Sequence, residues 1–165
     1  MEYVEKMGQF PVNVGISEVR GIVELVKENG NSLSLSKLAK EAKEEVDKLL
    51  PLLDAAEMLQ LCTVENGIVE LTALGASLNP RNVTQVLGKA LSGLDPFKTV
   101  FAVLSQGPRN SSELAAALKS RNITLYADDI TNIELLRGLL LKWGLRLKLV
   151  SYSRSNDVWS LPAKQ

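Results

Sequence analysis

The chain has 165 residues, 45% of them hydrophobic, enough to bury a core in one domain or in two small ones. Its 19 Lys+Arg balance 19 Asp+Glu, and it has no histidine and one cysteine. That excludes Ser-His-Asp and Cys-His catalysis, an internal disulfide and a cysteine-built zinc site, and no apolar run reaches the ~20 residues of a membrane span.

In chain order, residues 1–15 read as a loosely held leader broken by Pro11 and Gly15. The start MEYVEKMGQF lacks the apolar centre of a signal peptide, so a cytoplasmic protein is expected. Ser17 is the predicted N-cap of a helix to about Glu28, with Val19, Ile22, Val23 and Val26 as its apolar stripe and Asn29-Gly30 as its end. Ser32 to Leu35 reads as a short strand, and Leu35, Leu38, Ala39 and Ala42 line a small second helix. A longer helix follows, with Val46, Leu49, Leu50, Leu53 and Leu61 marking one face. Pro51 inside it removes a backbone donor and is expected to bend it or start a new segment. Leu61, Thr63 and Glu65, then Ile68, Glu70 and Thr72, alternate with Cys62, Val64, Val69 and Leu71 across Asn66-Gly67, the signature of a two-residue hairpin. Cys62 on that pattern is a small core residue, not a nucleophile.

Asn79-Pro80 punctuates the chain. Val83, Val86, Leu87, Ala90, Leu91 and Leu94 then make an amphipathic helix, read as a brace between two modules or as a helix that pairs with its copy in a dimer. Asp95-Pro96 reads as a cap with proline at the first helical position, opening a helix to about Gln106 with Val100, Phe101, Val103 and Leu104 inward. Gly107-Pro108 ends it, and Asn110 to Glu113 has capping-box spacing for a helix to about Arg121. Ile130, Ile133, Leu136, Leu139, Leu140 and Trp143 form one face of a third helix closed by Gly144. Leu145, Leu147 and Leu149 alternate with Arg146, Lys148 and Val150 as a half-buried strand, Ser151 to Asp157 reads as the turn, and Val158 to Leu161 as the return strand. The expected fold is mainly α with small β-hairpin wings: a leader (1–15), a first winged helix-turn-helix module (16–78), a brace helix (79–94) and a second winged module (95–162).

The charges are unevenly spread. Residues 1–80 carry 7 Lys+Arg against 13 Asp+Glu, and residues 81–165 carry 12 against 6. An asymmetry of this kind signals partners. The candidate partner-binding residues are Glu44, Glu45 and Asp47 on the acidic side, and Arg109, Lys119, Arg121, Arg146, Lys148 and Arg154 on the basic side. No catalytic, cofactor or metal constellation is read: Gly88-Lys89 lacks the pattern of a phosphate loop, and Asp128-Asp129 at a helix start complements the helix dipole. Nucleic-acid binding competes with protein binding. A third helix entering the major groove needs outward Lys, Arg, Asn or Gln, and here it offers mostly carboxylates in the first module, with Lys43 and Lys48 as exceptions, and Thr131, Asn132, Arg137 and Lys142 in the second.

The run VDKLLPLLDAAEMLQLCTVENGIVELTALG, the later LLKWGLRLKLVSY and the order of elements between them resemble the AAA-associated C-terminal domain, over about residues 11–162. In archaea and bacteria that domain is found behind the ATP-binding subunit of nitrate/sulfonate/taurine-type ABC transporters. The resemblance implies a cytoplasmic accessory, protein-interaction or regulatory module without established chemistry, linked to an ABC-type ATPase; the charge split adds a second copy as a candidate partner, and the short apolar runs argue against membrane insertion. The ATPase domain itself is not read in these residues. The alternative is a DNA-binding winged-helix transcriptional regulator.

Overall fold

A computed structural model of the chain describes residues 9–163. They divide into two compact units, one from Asn13 to Val86 and one built from residues 87 onward together with residues 9–12. Both are mainly helical, and each holds a three-stranded antiparallel sheet. The first unit runs α1 (Ile16–Glu28), β1 (Ser32–Ser34), α2 (Leu35–Ala42), α3 (Val46–Met58), β2 (Cys62–Glu65), β3 (Ile68–Leu71) and α4 (Ala73–Ser77). The division falls inside α5 (Val83–Leu91). The second unit continues with α6 (Phe97–Leu104), β4 (Arg109–Asn110), α7 (Ser111–Lys119), α8 (Asp129–Leu139), a π-helical turn (Leu140–Leu145), β5 (Ser151–Ser153) and β6 (Val158–Ser160). Strand order is β1-β3-β2 in one sheet and β4-β6-β5 in the other, so the path α-β-α-α-β-β is traced twice. The repeat reaches the register: Leu33 pairs with Val69 as Arg109 pairs with Trp159.

In the first unit the sequence reading holds for most elements. Val19, Ile22, Val23 and Val26 are the buried face of α1, and β1 pairs with the return strand of the hairpin. Asn66 and Gly67 both have positive φ, at 51° and 74°, as a type I′ turn demands. Three details differ. The N-cap of α1 is Gly15, not Ser17, because the Glu18 carboxylate reaches back to accept from the Gly15 amide at 3.0 Å. Pro51 does not interrupt α3, which runs unbroken from Val46 to Met58. Leu50 is 42% exposed, because the buried face is drawn by Leu49, Leu53, Ala55 and Ala56. The short helix α4 was not expected. Thr72 caps it, accepting from the Gly75 amide at 3.0 Å while its hydroxyl donates to the Gln60 carbonyl at 2.7 Å.

In the second unit, residues 9–12 are packed where a loose leader is expected; residues 1–8 of that leader lie outside the described residues, and its residues 13–15 belong to the first unit, with Val14 buried. The Phe10 amide donates to the Asp95 carbonyl at 2.9 Å, and its ring meets Trp143 edge-on at 4.7 Å and Phe97 at 5.8 Å. Pro96 stands one place earlier than expected, outside α6, and the Asp95 carboxylate accepts from the Thr99 amide and hydroxyl. The capping box on α7 is present, with Asn110 in the serine role: Asn110 accepts from the Glu113 amide at 2.8 Å and its own amide donates to the Glu113 carboxylate at 2.9 Å. Ile130 is 70% exposed, not inward, because the inward position of the first turn of α8 is taken by Asn132. The largest correction concerns residues 145–150. They are no strand: the helix continues through its π-helical turn and closes with Lys148 in the left-handed region (φ 61°), the Leu149 amide donating to the Gly144 carbonyl at 2.8 Å. The strand begins only at Ser151, within the stretch read as a turn.

Candidate interaction surfaces

The acidic candidates stand together at the junction of α2 and α3. Lys43 closes α2 in a left-handed conformation, Glu45 occupies the N-cap position of α3, and Glu44, Glu45 and Asp47 are all exposed. Among the described residues, Glu44 forms an ion pair with Lys48 alone, at 3.9 Å on the surface. Beside this junction a shallow groove of ≈ 330 Å³ runs along α1 and α3, with Ile22, Leu25, Leu49 and Leu52 in its lining and Glu18, Glu44 and Lys48 at its charged edge. Leu25 and Leu52, both half-buried, lie outside the apolar stripes read from the sequence, so periodicity alone does not mark such a groove.

The basic candidates are less united. Arg109 is half-buried on β4, its guanidinium donating to the neighbouring Pro108 carbonyl at 2.9 Å. Lys119 is held by Asp129 at 3.1 Å, and Arg121 is exposed just beyond α7. Arg154 is exposed in the turn between β5 and β6. Arg146 and Lys148, expected on a wing strand, lie instead at the end of the π-helical turn, where Lys142 joins them four residues before Arg146. Lys142, Arg146 and Lys148 are exposed and, among the described residues, form no ion pair, while Leu145 beside them is 36% exposed.

The groups that α8 could turn toward a base are engaged within the unit. Asn132 is buried and accepts from the Leu125 and Tyr126 amides at 2.6 and 3.2 Å. Thr131 donates to Asp128 through both amide and hydroxyl, and those two bonds hold the Asp128 carboxyl below its usual range. Arg137 is drawn to Asp157 at 3.5 Å and to the Ser111 hydroxyl at 3.4 Å. Its site is a polar pin that sequence reading missed. The Ser111 hydroxyl donates to Asp157 at 2.6 Å and accepts from the Trp159 indole at 2.9 Å, while the Tyr152 hydroxyl donates to Asp157 at 2.7 Å and its ring stacks on Trp159 at 4.0 Å. Burial would raise the Asp157 carboxyl, but the bonds from Ser111 and Tyr152 and the charge of Arg137 outweigh it and leave its pKa lowered. The bond to Asp157 pushes the Tyr152 hydroxyl up. The pin fastens the hairpin to the N-terminus of α7. The first unit has Cys62 at the start of its hairpin, a thiol that burial, with Glu57 nearby, pushes up to about 12.

On α3 the exposed side is mainly acidic, with Asp47, Asp54 and Glu57 against Lys48. A nucleic-acid backbone would be repelled there. Among the described residues no group of His, Cys, Asp and Glu is arranged to hold a metal ion, and no helix is long and apolar enough to cross a membrane.

A family model described as the C-terminal AAA-associated domain matches residues 36–152, a span that takes in parts of both units. The comparisons with curated proteins and with solved structures returned no match.

Proposed function

Because the chain belongs to the C-terminal AAA-associated domain family, we propose that it is a non-catalytic interaction and regulatory module, accessory to an ABC-transporter-type ATPase in the cytoplasm of an archaeon or bacterium. Each unit is read as a winged helix, in which the β2-β3 and β5-β6 hairpins are the wings; the repeated α-β-α-α-β-β path supports this. One observation carries the choice of protein over DNA. The helix that would enter a major groove presents carboxylates in the first unit, and in the second its Asn132, Thr131 and Arg137 are bonded within the fold. The unpaired cations Lys142, Arg146 and Lys148 favour the second reading, a DNA-binding regulator, but phosphate contacts alone position a protein without reading sequence.

The test titrates the purified chain against the ATP-binding subunit of a nitrate/sulfonate/taurine-type ABC transporter by calorimetry, and against duplex DNA by fluorescence anisotropy. The expected result is saturable binding to the subunit, a changed ATP turnover of that subunit, and no turnover by the chain alone. Sequence-specific DNA binding that tightens in Glu44→Lys/Glu45→Lys, with no binding to the subunit, makes the DNA reading the correct one.

A further inference from the structure

The first unit holds a socket and the second holds a knob of matching chemistry. The socket is the ≈ 330 Å³ groove with Ile22, Leu25 and Leu52 in its lining and Glu18, Glu44 and Lys48 at its edge, Glu44 lying 3.9 Å from Lys48. The acidic junction of Glu44, Glu45 and Asp47 adjoins it. The knob is Leu145, 36% exposed at the end of the π-helical turn, with Lys142 three residues before it and Arg146 and Lys148 following. The Lys148 amide donates to the Leu145 carbonyl at 3.0 Å, closing this end of the helix. From Gly138 to Asn156 the sequence has four cations and no carboxylate, and among the described residues no ion pair reaches Lys142, Arg146 or Lys148. A leucine among unpaired cations suits an apolar groove with an acidic edge: the apolar part supplies contact area and the opposite charges supply orientation and steering.

We propose that the knob of one chain docks in the socket of a second copy of this chain. The contact joins two different surfaces, so it propagates into a closed ring or a longer assembly unless two chains satisfy both contacts at once. The proposal goes beyond the accessory reading and does not depend on an ATPase partner. Charge complementarity selects the occupant: the knob carries only cations, while carboxylates outnumber the lysine at the groove's edge.

The test is sedimentation velocity of the full chain at ~20 mM and ~500 mM salt, since contacts of this kind are screened as salt rises. The parent is expected to self-associate at low salt and to dissociate at high salt. Glu44→Lys/Glu45→Lys and Arg146→Glu/Lys148→Glu should each weaken self-association about tenfold, each variant meeting its own like charge. An equimolar mixture of the two should restore it, because each reversed surface then meets its complement. Leu145→Ala, a truncation of an exposed side chain that leaves the fold intact by circular dichroism, should weaken association without removing its salt dependence. A parent that is monomeric at both salts overturns the proposal. So does a mixture that fails to recover while both variants keep the parent's circular dichroism, or a basic-side reversal that abolishes a DNA complex and leaves self-association unchanged.

Discussion

Replacing Gly75 by alanine should destabilise the first unit, against the usual effect of that change in a helix. Gly75 lies in the first turn of α4, where its amide is bound by the Thr72 hydroxyl. An added Cβ would overlap the Leu61 carbonyl oxygen and stand 2.9 Å from the carbonyl carbon. That carbonyl cannot swing away, because it accepts from the Thr72 amide at 3.0 Å and its residue's amide is bound to the Ala56 carbonyl at 2.9 Å. Forcing extra volume into such a site costs about 1–3 kcal/mol, and a backbone neighbour puts the cost at the upper end. Helix propensity returns about 1 kcal/mol. The net loss of about 2 kcal/mol corresponds to a fall in Tm of about 4–8 °C for a chain of this size. Gly21→Ala is the control: Gly21 lies in α1 with nothing within 4 Å of its added Cβ, so the same chemical change should raise stability by about 0.5–1 kcal/mol. Scanning calorimetry of the two variants beside the parent reads both signs. A Gly75→Ala midpoint at or above the parent's would refute the close approach of Gly75 to Leu61.

Gly67→Val should cost about 1–2 kcal/mol, because φ there is 74° and the space around it is open, so only backbone strain acts; urea titration measures it, and an unchanged midpoint contradicts the type I′ turn. Cys62, buried with its thiol pushed up to about 12, should resist iodoacetamide at neutral pH in the folded chain and react once urea unfolds it. Asp157 has a folded pKa below its unfolded value of about 3.9, so its stabilisation is present above that value and fades as pH falls through the folded pKa. Asp157→Asn should therefore be less stable than the parent at neutral pH, and the difference should shrink in acid; a constant difference from pH 7 to acid would mean that the carboxylate charge plays no part.

What could be read from the sequence depended on whether residues advertise their backbone. Asn66-Gly67 named its turn, and Asn110 with Glu113 named its capping box, because few residue types satisfy those geometries. The four helix ends closed by Lys43, Gln60, Asn122 and Lys148 have φ between 57° and 65° with no glycine to signal them. The last of these explains the misread strand. Leu145, Leu147 and Leu149 alternate as a strand would, yet Leu147 is buried because it follows Trp143 by one helical turn, its amide bonding the Trp143 carbonyl at 3.0 Å. The polar pin was invisible for another reason: Ser111 and Asp157 lie 46 residues apart and meet only through sheet pairing. The acidic candidates Glu44, Glu45 and Asp47 stand together because they are near neighbours in the sequence. The basic ones were not a single site, since Lys119 is engaged by Asp129 and Arg109 by its own loop.

The two units follow one path but secure it with different chemistry, and that difference bears on what each can bind. In the first unit the third helix buries Leu49 and Leu53, so its polar side chains remain on the surface, mostly as carboxylates. In the second, the buried position of the first turn of α8 is Asn132, which must satisfy the amides of Leu125 and Tyr126 because an unpaired buried group would cost ~1–3 kcal/mol. Arg137, one turn further, is drawn inward by Asp157. A helix that spends its asparagine and its arginine on the loop and hairpin beside it keeps few donors for a groove of bases. The cations left over gather past its end, at Lys142, Arg146 and Lys148, where the helix dipole also favours positive charge. A cationic helix end next to an exposed leucine suits an acidic, partly apolar protein surface better than it suits sequence readout.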